Sequence, residues 1–203
     1  MPAAALLVDF DGVLRHWPAS DEAIERAHGL PDGSIRAAAF STSLLADLVE
    51  GRLSDEDWRT RTAARLRQQY IHADVAGAIA QWSSGLGDID TELLQVLRDC
   101  TPSHRLVLVS NGSTRLRSDL DRLGLGDAFH AVVNSSEIGV AKPAAAFFEI
   151  ALQRAASTPE LALFIDDSPE HVAAARMLGL RAHCYAGVAG VRDFLRECGV
   201  TAG

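Results

Sequence analysis

Ala4-Ala5-Leu6-Leu7-Val8-Asp9, running on into Phe10-Asp11-Gly12-Val13, is the stretch from which the fold is read. An apolar run that stops abruptly at a carboxylate is the pattern of a strand covered on both faces, and such strands belong to parallel sheets. The pattern returns at 105–110 (RLVLVS), 129–134 (FHAVVN), 161–166 (LALFID) and, more weakly, at 181–185. Helical stretches alternate with these runs: 114–123 with Gly124 as its stop, 143–156 with Pro143 in its first turn, 169–178 and 190–198. Strands alternating with helices predict an α/β fold, a mostly parallel sheet with helices on both faces.

Residues 15–85 break this rhythm and contain no convincing strand run. They read as helices over 21–29, 34–50, 55–69 and 73–82, with Gly51 as a stop. Ser54 followed by Asp57 resembles a capping box that starts the third of them. The expected organisation is a core of 1–14 and 86–203, with a helical insert at 15–85 whose flanks, 15–20 and 83–88 (SSGLGD), are turn-rich enough to act as hinges.

The 203 residues suffice for one medium domain and a small second lobe. A net charge of -8 argues against nucleic acid or an anionic membrane as partner, since both require basic surface. A small phosphorylated substrate remains compatible, provided that its site is made positive locally. The three cysteines, Cys100, Cys184 and Cys198, form no CxxC pair, so neither a zinc site nor a disulfide framework is expected. The apolar start is too short to span a membrane and lacks the basic residues of a signal peptide, so the expected location is cytoplasmic.

Parallel sheets bind ligands at the carboxyl ends of their strands. Here those ends carry Asp9-Phe10-Asp11-Gly12, Ser110-Asn111-Gly112, Lys142-Pro143 and Asp166-Asp167-Ser168. Asp9 and Asp11 are two apart, so in extended chain they point the same way. Several carboxylates in one place need a cation, and Mg2+ is the hard, oxygen-seeking ion that suits them. Asp9 can then attack phosphorus, while Asp11 protonates the leaving oxygen and later deprotonates water. Ser110 and the amides of Asn111 and Gly112 can donate to phosphate oxygens, and Lys142 places positive charge where the transition state gathers negative charge. Each element has a bland reading when taken alone: a turn or calcium-type loop, a strand-to-helix cap, an uninformative Lys-Pro pair, a helix cap with proline behind it. The information lies in all four occurring in order, each at a strand end.

This ordered set resembles the haloacid dehalogenase-like hydrolase superfamily over nearly the whole chain. The motifs are Asp9-Phe10-Asp11-Gly12-Val13, Ser110-Asn111-Gly112, Lys142-Pro143 and Ile165-Asp166-Asp167-Ser168-Pro169, and the insert resembles that family's small helical cap. The resemblance implies a three-layer α/β/α sandwich with a Rossmann-like sheet and its first strand near the centre. It implies Asp9 as nucleophile, Asp11 as general acid/base, and Ser110 and Lys142 as holders of the phosphoryl group. It also implies metal ligation by Asp9, the Asp11 carbonyl and Asp167, with Asp166 beside them. Relatives that split carbon–halogen bonds do not keep an aspartate two residues after the nucleophile, so Asp11 points to phosphate. One departure is His171, which stands where the family often has Asn or Asp; a solvent-facing side chain is the plainer expectation for it. In the cap, Arg52 is the candidate substrate contact, His16 and Trp17 are further candidates, and Trp58 and Trp82 read as core.

The expected activity is therefore Mg2+-dependent phosphomonoester hydrolysis of a small metabolite through a phospho-aspartate. A phosphosugar mutase, a 2-haloacid dehalogenase and a non-catalytic phosphometabolite-binding protein are the alternatives. A Rossmann dinucleotide site is excluded because Gly124-Leu125-Gly126 lacks a third glycine and follows a helix. Oligomeric state and the natural substrate are not legible.

Overall fold

The computed structural model describes residues 4–101 and 103–200. Strand β1 (Ala5–Val8) leads to a two-residue strand β2 (Arg15–His16). Five helices follow: α1 (Glu22–Ala27), α2 (Ser34–Ala39), α3 (Thr42–Val49), α4 (Asp55–Gln69) and α5 (Val75–Ser84). Then come β3 (Asp88–Ile89), α6 (Thr91–Asp99), β4 (Arg105–Ser110), α7 (Leu116–Arg122), β5 (Ala131–Asn134) and α8 (Ser135–Ile138). The chain continues through α9 (Ala145–Ala155), β6 (Ala162–Asp166), α10 (Pro169–Met177), β7 (Arg181–Cys184) and α11 (Val188–Glu197). Among the described residues no helix is long and apolar enough to cross a membrane.

The main sheet is five-stranded and parallel, in the order β5-β4-β1-β6-β7, with β1 at its centre. Alternation of side chains along the strands sorts the core into two halves. Leu6 and Val8, Leu106 and Leu108, and Leu163 and Ile165 face a cluster completed by α6, α7 and α11. Ala5 and Leu7, Val107 and Val109, and Ala162 and Phe164 face a second cluster, completed by α9 and α10. The result is the expected three-layer α/β/α architecture.

Helices α1–α5 and the turns between them bury side chains of their own: Leu30, Ile35, Leu66 and Val75 in one cluster, Leu44, Leu48, Leu53 and Trp58 in another. Trp58 and Trp82 pack 5.3 Å apart between ring centres, as core residues should. The expected helix over 34–50 is two helices, α2 and α3. The carbonyls that would have carried it across Phe40 and Ser41 are taken from outside: the Trp58 indole donates to Ala39 O at 2.9 Å and Arg65 donates to Ala38 O at 3.2 Å. Ser54 caps α4 by accepting from the Asp57 amide, as its spacing predicts.

Two further expectations are corrected. The flank at 15–20 is not all turn, because Arg15–His16 pairs antiparallel with Asp88–Ile89 and so forms a short ribbon at the base of the helical segment. Pro143 does not open a helix. The Asn111 side chain holds the Lys142 backbone from both sides, accepting its N–H at 2.8 Å and donating to its carbonyl at 2.9 Å. This fixes residues 142–144 as a turn, and α9 starts only at Ala145.

Candidate active site

The sheet register fixes how the motifs meet. Val8 is level with Leu108 on one side and with Ile165 on the other. Asp9, one residue further, is therefore level with Asp166 on β6 and one step short of Ser110 on β4. The turn holding Lys142 is tied to the β4 end through Asn111, which delivers the lysine to the same edge.

Lys142 is buried at the centre of the cluster. Its Nζ lies 2.9 Å from Asp9 Oδ1 and 2.7 Å from Asp166 Oδ2, and it donates to Val109 O at 3.0 Å. All three of its protons are thus committed. Burial works against its charge, but Asp9 and Asp166 outweigh burial and keep the ammonium protonated. Asp166 is equally occupied. Its Oδ1 accepts from the Ser168 amide and faces His171 Nδ1, both at 2.9 Å. Burial alone would raise Asp166, yet the contact with His171 and the charge of Lys142 hold it down at about 2. Asp9 fares differently: burial pushes it up to about 8, against the pull of Lys142 and with the help of repulsion from Asp166. Burial and Asp166 push Asp167 upward too.

Lys142 thus balances Asp9 and Asp166, but only Asp166 is held firmly ionised. Burial and Asp166 push Asp9 and Asp167 toward their protonated forms, a pull that a cation would offset. The donors are all oxygen, which matches a hard divalent cation. Oxygens of Asp9 and Asp166 and a ring nitrogen of His171 lie within 4.8 Å of one another. The facing atoms of Asp166 and His171 are already spent on each other, so His171 reads as the partner of Asp166 rather than as a ligand. The expectation that His171 faces solvent is therefore corrected: as the third residue of α10 it turns inward onto Asp166.

Asp167 reaches the same place from the other side. A Cβ built on Gly12, whose φ is +87°, would come within 2.1 Å of Asp167 Oδ2. Gly12 thus supplies both a left-handed turn after Asp11 and the space for the Asp167 carboxylate.

Asp11 lies at the rim, with its side chain 40% exposed. Arg15 grips both its oxygens, Nε to Oδ1 at 2.7 Å and Nη2 to Oδ2 at 3.0 Å, and the Trp17 indole donates to Oδ1 at 2.6 Å. Ser110 is buried at the end of β4. Asn134, level with it on β5, donates to Ser113 O at 2.9 Å and so shapes the loop after Ser110. Sequence reasoning passed over Asn134, although a buried polar residue ending an apolar strand is a usable signal. Asn111, expected to offer only its amide, also contributes its side chain as the brace of Lys142.

Arg52 sits in the turn after α3, half exposed, paired with Asp47 at 2.7 Å and also with Glu50. Its described ion pairs are with these carboxylates of its own segment, not with the Asp9 cluster. The helical segment docks on the core elsewhere: the Asp55 amide donates to Thr114 Oγ1 at 3.0 Å, and Ser113 Oγ donates to Asp55 Oδ1 at 3.1 Å. His16 stacks near Tyr185, 6.4 Å between ring centres.

A family model described as haloacid dehalogenase-like hydrolase matches residues 3–179. No curated protein matches the chain. Among solved structures, a HAD-like family hydrolase from Porphyromonas gingivalis is 26% identical, with 98% of each chain covered and a TM-score of 0.71. A HAD family enzyme from Bacteroides thetaiotaomicron, in complex with magnesium and inorganic phosphate, is 21% identical over 91% of this chain and 94% of that one, with a TM-score of 0.72. The L-2-haloacid dehalogenase from Xanthobacter autotrophicus with chloropropionic acid covalently bound is 19% identical over 98% of this chain and 84% of that one, with a TM-score of 0.66.

Proposed function

Because the chain belongs to the haloacid dehalogenase-like hydrolases, we propose that it is a Mg2+-dependent phosphomonoester hydrolase that acts on a small phosphorylated metabolite through a phospho-aspartate on Asp9. The observation that carries this reading is the buried Asp9–Lys142–Asp166 cluster at the carboxyl edge of the sheet, with Asp11 two residues beyond Asp9.

In this mechanism Asp9, Asp167 and the Asp11 carbonyl would hold the cation, and Asp166 orients Lys142. A bound Mg2+ would supply positive charge against the developing negative charge of the reaction. An Asp9 oxygen attacks phosphorus, the bond to the leaving oxygen breaks, and Asp11 delivers a proton to that oxygen to release an alcohol. Water then attacks the phosphorus of phospho-Asp9, Asp11 takes its proton, and the bond to Asp9 breaks to free inorganic phosphate. Ser110 and the amides of Asn111 and Gly112 hold the phosphoryl oxygens, and Lys142 offsets their charge. In the cap, Arg52 remains a proposed substrate contact, one that must first release Asp47 or Glu50.

The test is turnover over a broad panel of phosphate esters, with Mg2+ and after chelation, with analysis of the products. Free phosphate released only with metal supports the reading. Phosphate returned to the sugar would identify a mutase, and halide released from a 2-haloacid would identify a dehalogenase. Binding without turnover over the whole panel would favour a sensor. Asp11→Asn is expected to lower kcat by about 10²–10⁴-fold, the usual contribution of a positioned acid/base; full activity in that variant would remove Asp11 from the role. Gly12→Ala is expected to cost about 1–2 kcal/mol through its positive φ, and to weaken Mg2+ binding by displacing the Asp167 carboxylate. Calorimetric titration with Mg2+ checks this, and an unchanged affinity would mean that Asp167 is not a ligand.

A further inference from the structure

The Asp11 carboxylate is the outer end of a chain of charges that runs through the core. The Arg15 guanidinium, buried above the Phe10 ring at 4.3 Å, spends Nε and Nη2 on Asp11 and its remaining Nη1 on Asp119 Oδ2 at 2.9 Å. Asp119, buried on α7, accepts at its other oxygen from Arg115 Nε at 2.7 Å. Arg115 in turn donates to the carbonyls of Ser83 at 2.7 Å and Gly85 at 2.8 Å, where α5 ends and the second connection between the helical segment and the sheet begins. Arg15 lies in the first connection.

We propose that Asp119 is a positioning residue for the reaction, orienting the Asp11 carboxylate through Arg15 and tying that orientation to both connections of the helical segment. This rests on the reading of Asp11 as acid/base. A planar guanidinium anchored at three nitrogens presents two parallel donors in one fixed direction. Without Asp119, Nη1 has no buried carboxylate to hold it. The fork then pivots, and the carboxylate it grips pivots with it. Apolar side chains would fill such a space at least as well as buried charges do. The ionic chain is therefore explained better by what it orients than by its stability.

The test uses Asp119→Asn and Arg15→Lys, the second reading the same link should the first fail to fold. With p-nitrophenyl phosphate the leaving group departs without needing a proton, so transfer to Asp9 stays fast, while hydrolysis of phospho-Asp9 still needs Asp11 as base. Both variants are expected to release about one equivalent of nitrophenol per site in a burst. A steady state slowed by about 10²-fold then follows, the usual cost of roughly 1 Å of misplacement, with KM falling alongside kcat because phospho-Asp9 accumulates. Independently, the Trp17 indole N–H, which donates to Asp11, is expected to shift or broaden in its NMR signal, while the Trp58 signal stays in place. A folded Asp119→Asn with wild-type kcat and an unmoved Trp17 signal would overturn the proposal, as would a raised KM without a burst. Should the wild type itself lack Mg2+-dependent turnover, the proposed function fails, and the indole signal alone then decides the positioning claim.

Discussion

Asp9→Asn is expected to abolish turnover, by more than about 10⁴-fold, while leaving the fold intact. An amide oxygen is a poor nucleophile, and the neighbouring Asp166 is saturated by Lys142, Ser168 and His171 and so is not free to replace it. Lys142 keeps Asp166 as counter-ion, so no buried charge is left alone. Stability should even benefit once metal is removed. Asp9 is raised from an ordinary carboxyl value to about 8, so between those two pH values the folded chain holds a proton that the unfolded chain has lost. Stability therefore falls as pH rises through that window, and the asparagine variant lacks this fall. Denaturation in chelator at pH 5 and pH 8 checks the sign. Asp166, lowered to about 2, acts oppositely, and its contribution is lost only as pH falls below the ordinary carboxyl range.

Lys142→Met should damage both activity and stability. Methionine fills the space but leaves Asp9 and Asp166 facing each other without the ammonium, and Val109 O without its donor. Breaking a buried ion pair from one side typically costs about 3–5 kcal/mol, so the midpoint in denaturant should drop strongly. Activity should fall by about 10³-fold or more through loss of charge at the phosphoryl site. Saturating Mg2+ should restore part of the stability, because the cation takes over some of the neutralisation, but not the activity. A variant as stable as wild type without metal would mean that Lys142 does not balance these carboxylates.

The strand ends were legible because they rest on local pattern: an apolar run, then a carboxylate or hydroxyl, repeated with helices between. The placement of β1 at the sheet centre was legible only through the family resemblance. What escaped depends on contacts distant in sequence. The β2–β3 ribbon has two residues on each side, too few to show a period of two. The break between α2 and α3 is made by Trp58 and Arg65 reaching back across the segment. The inward turn of His171 is the exception, a contact with Asp166 only five residues earlier, across the turn from β6 into α10. The Arg15–Asp119–Arg115 chain joins residues about a hundred positions apart and has no local signature.

The most direct measurement is rapid quenching of the enzyme with substrate and Mg2+, followed by mass spectrometry of the peptide containing Asp9. The account predicts one phosphoryl group on Asp9, absent in Asp9→Asn and absent after chelation. Turnover with a phosphoryl group on another residue, or with none on the protein at any time, would contradict it.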